Sequence, residues 1–283
     1  LEGVILMDTV IGLGAAGCNI ADEFAKYSQY KIYKIDNGLD GLKQEGVYDM
    51  PWQDSVERYE ERCPDMTNFF RGLSGDVLFV IGGSGNISGA ALAILEYIKH
   101  CNINILYIRP DLESISITKK NQEWVVFNVL QEYARSGVFE RIYLVDNSKV
   151  EENLGNVPVI GYYDKLNSVI VPSLHMINVY NHIGSVVNTF SKPLAGRRIS
   201  TIGFYDEENN KNNLFYSLDN VGEMRYYYAI NKEKLETDGD ILKKVREQIK
   251  GDTEASYGIF ATNYEQDYVY TVAHSSEIQR QKK

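Results

Sequence analysis

The chain has 283 residues, 44% of them hydrophobic, which is enough to bury a sizeable core in one or two domains. Its formal net charge of −10 argues against direct nucleic-acid binding, which needs an excess of Lys and Arg, and no stretch reaches the roughly 20 apolar residues of a membrane span. No basic-then-apolar signal segment is expected at the start, and the three scattered cysteines (Cys18, Cys63, Cys101) read as free thiols in a reducing cytoplasm.

In chain order, a strand ends at 9–11 and runs into Gly12-Leu13-Gly14-Ala15-Ala16-Gly17-Cys18-Asn19, a glycine-rich turn that opens a helix over 19–27. A strand over 30–35 stops at Asp36-Asn37-Gly38. A charged helix is expected over 54–71, then an apolar strand over 77–81. That strand ends in a second glycine-rich turn, Gly82-Gly83-Ser84-Gly85-Asn86-Ile87-Ser88-Gly89. An apolar helix over 89–100, a strand over 103–108, a helix over 122–135 and a strand over 141–145 follow, the last ending in Asp146-Asn147. This alternation predicts an α/β fold, a parallel sheet covered on both faces, whose ligands sit at the carboxyl ends of the strands. Both glycine turns fall at such ends.

The stretch 162–187 reads as one long central helix with Pro172 inside it. Beyond Pro193 the texture changes to a smaller C-terminal α+β domain. Its expected parts are a strand over 198–205, a polar loop over 206–213, a tyrosine-rich strand over 224–230, a charged helix over 240–250, and a hairpin of 257–262 with 268–273. The polar tail, 275–283, is expected to fray. The domain division is therefore 1–160, 161–192 for the central helix and the loop after it, and 193–283.

Glycine lets backbone approach a ligand closely, and a helix start behind it offers free N–H groups to an anion. Gly12-x-Gly14-x-x-Gly17 fits a dinucleotide-binding turn, with Asp36 at the end of the second strand for a ribose; a purely structural turn is the plain alternative. The second turn favours a nucleotide held by its phosphates from two sides. Neither turn ends in Gly-Lys-Ser/Thr, which sets a P-loop aside. An NAD-linked oxidoreductase would need a catalytic His, acid or Tyr-Lys pair, and none stands out.

Five motifs in order then resemble the tubulin/FtsZ superfamily over about residues 7–182, most closely its TubZ-type plasmid and phage branch. They are the first turn, the second turn, Leu144-Val145-Asp146-Asn147, Tyr163-Asp164-Lys165-Leu166-Asn167 and Leu174-His175-Met176-Ile177-Asn178. The resemblance implies that GTP or GDP is contacted by Gly12, Leu13, Gly14, Ala15, Gly17 and Cys18 on one side. Gly83, Ser84, Gly85, Asn86, Ile87 and Ser88 contact it on the other. Asn147 and Asn167 read guanine, since an amide can both donate and accept, and Tyr163 stacks on the base. Asp36, with Asn37, lies where the phosphates or a magnesium ion approach, Met50-Pro51 stands in for a third loop, and Glu113 takes the place of a ribose-binding acid; for these a solvated surface role is an equal alternative. His175 and Asn178 read as structural.

By the same resemblance the chain forms head-to-tail filaments in a bacterial host cytoplasm, moving plasmid or phage DNA or positioning particles. An acidic chain would reach DNA through a basic adaptor protein. Two departures matter. Residues 180–191 contain no Asp or Glu, where FtsZ carries Asn-x-Asp-x-x-Asp for hydrolysis on the neighbouring subunit, and Ile87 replaces a small glycine. No catalytic residue and no protein metal ligand are assigned. The alternative is a hydrolysis-deficient structural or scaffolding protein that keeps the fold.

Overall fold

The computed structural model describes residues 8–39, 44–191, 194–251 and 254–280. The domain border expected at 192–193 and the end of the tail, 281–283, lie outside them. Strand and helix alternate through the first half as β1 (Asp8–Leu13), α1 (Gly14–Phe24), β2 (Tyr30–Asp36), β3 (Val47–Asp49), α2 (Val56–Glu61), β4 (Asp76–Gly82), α3 (Ala91–Tyr97), β5 (Asn102–Arg109), α4 (Ile117–Arg135), β6 (Arg141–Asp146) and α5 (Asn147–Leu154). The long helix α6 (Tyr162–His182) leads into β7 (Val187–Asn188), β8 (Ile199–Asp206), β9 (Lys211–Leu214), β10 (Glu223–Asn231), α7 (Lys232–Thr237), α8 (Ile241–Gln248), β11 (Ala255–Thr262) and β12 (Tyr268–Ser275).

One sheet runs in the order β3-β2-β1-β4-β5-β6-β8-β12-β10-β11-β7, with β9 added on β8. Its first six strands are all parallel. Adjacent strand residues point to opposite faces, so Ile11, Phe79 and Ile105 enter one apolar core with Phe127 of α4. Val10, Val80 and Leu106 enter the other, with Phe24 of α1 and Ile170 and Leu174 of α6. Both faces are therefore covered, which is why these strands read as continuous apolar runs. The sheet passes into the C-terminal half through a short parallel ladder, Ile142 with Ile199 and Tyr143 with Ser200. Beyond it, Phe215 takes over as partner of β6 by accepting the Asp146 N–H at 2.7 Å.

Several expectations from the sequence are corrected. The charged stretch 54–71 is helical only as α2, because Pro64 disfavours helical backbone at Cys63. The helix after the second glycine turn begins as a 3-10 turn, Asn86–Ala90, before α3. α4 starts at Ile117, five residues earlier than its apolar period, because the Ser116 hydroxyl accepts the Lys119 N–H at 3.4 Å. α5 was not expected; Asp146 caps it by accepting the Ser148 N–H at 2.9 Å. The polar loop 206–213 instead closes a β8–β9 hairpin.

β11 and β12 do not pair with each other: β10 lies between them, parallel to β11 and antiparallel to β12. The connecting loop crosses the end of β10, where Asn231 donates from its N–H to Asp267 at 3.0 Å and from Nδ2 to the Tyr264 carbonyl at 2.7 Å. The tail is not frayed up to Arg280. Gln279 is buried and donates its N–H to Gln131 Oε1 at 2.8 Å, while Gln131 Nε2 returns a bond to the Gln279 carbonyl at 3.2 Å.

Candidate functional site

At the carboxyl ends of β1, β4 and β5 lies a cavity of about 310 Å³. Residues from both glycine turns line it, together with Asn147 at the start of α5 and Tyr163 and Asn167 on the first turns of α6. No charged side chain lines it among the described residues.

The first turn divides its work. α1 starts directly at Gly14, behind an extended Leu13 that gives no side-chain cap, so its first N–H groups are left for whatever fills the cavity. Gly14 has φ of +71°, a left-handed conformation that favours glycine. Leu13, Gly14 and Ala15 line the cavity; Gly12, Gly17 and Cys18 do not. A Cβ on Gly12 would overlap the Gly17 carbonyl, and one on Gly17 would sit 2.6 Å from the Val80 carbonyl oxygen. Both therefore let β1, α1 and β4 close on one another. Cys18 is buried beneath them with Sγ 3.6 Å from the Gly12 carbonyl, and burial pushes its thiol up to about 12. It stays protonated and unreactive at neutral pH.

The second turn divides in the same way. Gly82, Ser84, Gly85 and Ile87 face the cavity. Gly83 has no room for a side chain because Tyr107 packs against it. Ser88 donates to the Gly85 carbonyl at 2.6 Å, as does Gln122 Nε2 of α4 at 2.8 Å. Asn86 Nδ2 reaches the Asp54 carbonyl at 3.2 Å, and Gly89 receives the backbone of Val56. Asn86 and Ser88 thus build the loop and do not line the cavity. Beneath Gly83, Tyr107 donates to Glu123 Oε1 at 3.0 Å, and Glu123 pairs with Arg109 at 3.2 Å in a fully enclosed site.

Asn147 and Asn167 are 7% and 9% exposed, and neither side-chain amide makes a hydrogen bond to another described residue. Tyr163 stands 61% exposed on the rim. An almost buried amide normally has a partner, so two of them opening on one cavity mark the place where a polar planar ligand edge fits.

The softer candidates lie elsewhere. Asp36 caps its own turn by accepting the Asn37 N–H at 2.9 Å, and burial, with Asp49 nearby, pushes its carboxyl up. Asn37 itself donates to the Tyr59 hydroxyl at 2.9 Å. Met50 is in the core, and Glu113 is exposed in a 3-10 turn beside Pro110, which does line the cavity. Ala16, Asn19, Ile20 and Ile108 also line it without having been singled out. The first three share a face of α1 at helical spacing, a signal present in the sequence.

The far end of α6 is structural. His175 stacks on Tyr27 with ring centroids 3.8 Å apart and shares a 2.9 Å hydrogen bond with the Tyr30 hydroxyl, while Asn178 donates to Asp8 and to Tyr30. Burial lowers the His175 pKa to about 4, so the ring is neutral. The loop after α6 carries no acid, but Asp8 and Asp76, at the amino ends of β1 and β4, place their carboxylates within 4.8 Å of His182.

A parallel sheet covered on both faces, two glycine turns at its carboxyl edge and a long helix running from that edge to the opposite one define the tubulin/FtsZ fold, and this chain has it. Neither a family model nor a curated protein sequence matches the chain. Among solved structures, the M. jannaschii FtsZ dimer is 13% identical and superposes with a TM-score of 0.70, covering 97% of this chain and 89% of that one. The GTPγS-form protofilament of TubZ from Bacillus thuringiensis serovar israelensis is 14% identical with a TM-score of 0.73, covering 96% and 88%. GDP-bound CetZ1 from Haloferax volcanii is 16% identical with a TM-score of 0.69, covering 96% and 94%. At such identities the likeness establishes the fold, and function rests on the site.

Proposed function

We propose that the cavity binds a guanine nucleotide and that copies of the chain associate head to tail through it. The observation that carries the reading is the pair of amides, Asn147 and Asn167, that bond no other described residue and face the free first turn of α1 across one cavity. Amides with both donor and acceptor suit the guanine edge, the exposed Tyr163 face suits stacking, and backbone N–H groups at a helix start suit phosphates. With no carboxylate among the described residues lining the cavity, magnesium would arrive on the nucleotide's own phosphates. The FtsZ and TubZ structures are a dimer and a protofilament, which supports self-association. A heterologous contact of that kind propagates without closing. The division into 1–160, 161–192 and 193–283 belongs to this proposal, supported by the short β6–β8 ladder between the halves.

Among the described residues no helix is long and apolar enough to cross a membrane, and the reading places the protein in a bacterial host cytoplasm, with plasmid or phage DNA or particles as cargo and a basic adaptor where DNA is involved. The acid-free stretch 180–191 favours a second reading, a static scaffold that holds nucleotide without turning it over. One experiment addresses both: identify the co-purified nucleotide by mass, then compare pelleting and phosphate release with GTP and with a slowly hydrolysed analogue. Guanine nucleotide with polymer supports the first reading, and polymer without phosphate release supports the scaffold. A protein that carries no guanine nucleotide and takes up none refutes the site assignment.

A further inference from the structure

Resting on the guanine-nucleotide reading, we infer that Ile87 makes this cavity a nucleoside diphosphate site, closed to the third phosphate of a triphosphate. On that reading Asn147, Asn167 and Tyr163 hold the base end, and the uncapped first turn of α1 offers N–H groups for the phosphates that follow. A longer phosphate chain has to continue into the gap between the two glycine turns. Ile87 projects into that gap. Its Cγ2 lies 2.8 Å from where a Cβ on Gly14 would stand, so a methyl of the second turn reaches close to the first.

The side chain cannot swing away. Ile87 is 6% exposed and shares an apolar core with Tyr59 of α2 and Ala90 and Ala91 behind it. The 3-10 turn that carries it is clamped on its outer side by the Asn86 bond to the Asp54 carbonyl and by the seat of Gly89 on Val56. Charge points the same way. With no Lys or Arg lining the cavity among the described residues, phosphate oxygens depend on N–H groups and the Ser84 hydroxyl. A terminal phosphate pressed against a methyl group loses water and gains no donor from that side chain, and burying an anion without a partner is strongly unfavourable. A diphosphate ends before the obstruction and keeps the helix-start donors.

The test is equilibrium binding of GDP and GTP to the full chain, stripped of nucleotide, alongside the Ile87→Ala and Ile87→Gly variants, with a thermal melt of each to confirm folding. The wild type is expected to bind GDP at least tenfold more tightly than GTP. The variants are expected to bring the two nucleotides within about threefold of each other by strengthening GTP binding. Wild-type protein that binds GTP as well as GDP overturns the inference by itself, whatever the variants do. So does a folded variant whose GDP-to-GTP ratio matches the wild type. Binding of neither nucleotide to the wild type at millimolar concentration overturns the underlying guanine reading instead, and the two failures are thereby told apart.

Discussion

Replacing Glu123 by Leu removes one partner of an enclosed ion pair and leaves the Arg109 guanidinium stranded. The Glu123 side chain is fully buried and that of Arg109 is 7% exposed, with 3.2 Å between Nε and Oε1. Arg109 keeps a 3.4 Å hydrogen bond from Nη1 to the Tyr216 hydroxyl, the pull of the Asp146 carboxylate, and the rings of Phe127 and Tyr216, whose centroids are 5.0 and 6.0 Å from its guanidinium carbon, none of which replaces the lost carboxylate. Stranding a buried charge in this way costs about 3–5 kcal/mol. For a chain of this size that lowers Tm by on the order of 10 °C. The effect reaches the cavity, because Tyr107, which donates to Glu123, packs against Gly83 of the second turn. Urea and thermal unfolding followed by circular dichroism measure the loss. The double variant Arg109→Met with Glu123→Leu is expected to regain most of it, since an apolar pair of similar volume has no charge left unpaired. A single variant that melts within a degree of the wild type, or a double variant no more stable than the single, refutes the reasoning.

The two glycine turns separate structural from ligand-facing positions. Gly12→Ala forces a Cβ into the Gly17 carbonyl and is expected to destabilise by about 1–3 kcal/mol. Gly85→Ala meets nothing nearer than Ile87 at 3.8 Å, so its melt is expected to match the wild type; equal melts for the two variants would contradict this division. Asn167→Ala is expected to weaken guanine nucleotide binding about tenfold, the worth of one well-placed hydrogen bond, without moving the melt; unchanged affinity in a dialysis assay would remove Asn167 from the base site. His175, at about 4 in the fold against 6.5 as the ordinary value, favours the neutral ring when folded and the charged ring when unfolded. Its contribution is therefore complete above pH 6.5 and falls by about 2 kcal/mol by pH 5. Asp8, pushed up by burial, acts with the opposite sign, so the comparison is with His175→Phe, whose stability is expected to fall less between pH 7 and pH 5; parallel profiles would show that the ring is not held neutral.

Much of the N-terminal half was legible because the central parallel strands β1, β4 and β5 are buried on both faces and announce themselves as apolar runs. The alternation of β1, β2, β4, β5 and β6 with helices needed nothing else. α5 escaped because 147–154 holds only Val150 and Leu154 as apolar residues; the helix is fixed by the Asp146 cap and by packing under α6. The C-terminal hairpin was misread because nearness along the chain was taken for pairing, whereas β10 inserts between β11 and β12. At the site, the glycine turns and the two asparagines carry local signals. Ile108 and Pro110 join the cavity only because β5 lies beside β4, and the meeting of Asp8, Asp76 and His182 depends on strand register, which no local pattern encodes.

The handover of β6 from β8 to Phe215 has a thermodynamic consequence. Asn147 follows directly on Asp146, whose N–H is held by the Phe215 carbonyl, and Asn153 of α5 is tied to Leu214 at 3.3 Å. The amide that faces the cavity is thus suspended from a segment of the opposite half of the molecule. A ligand that fixes Asn147 is linked to the closed state of 214–216 and slows its local opening, by the same free energy with which closure of that segment strengthens binding. Amide exchange at Phe215, 68 residues from Asn147 in sequence, then becomes a remote gauge of whether the cavity is filled.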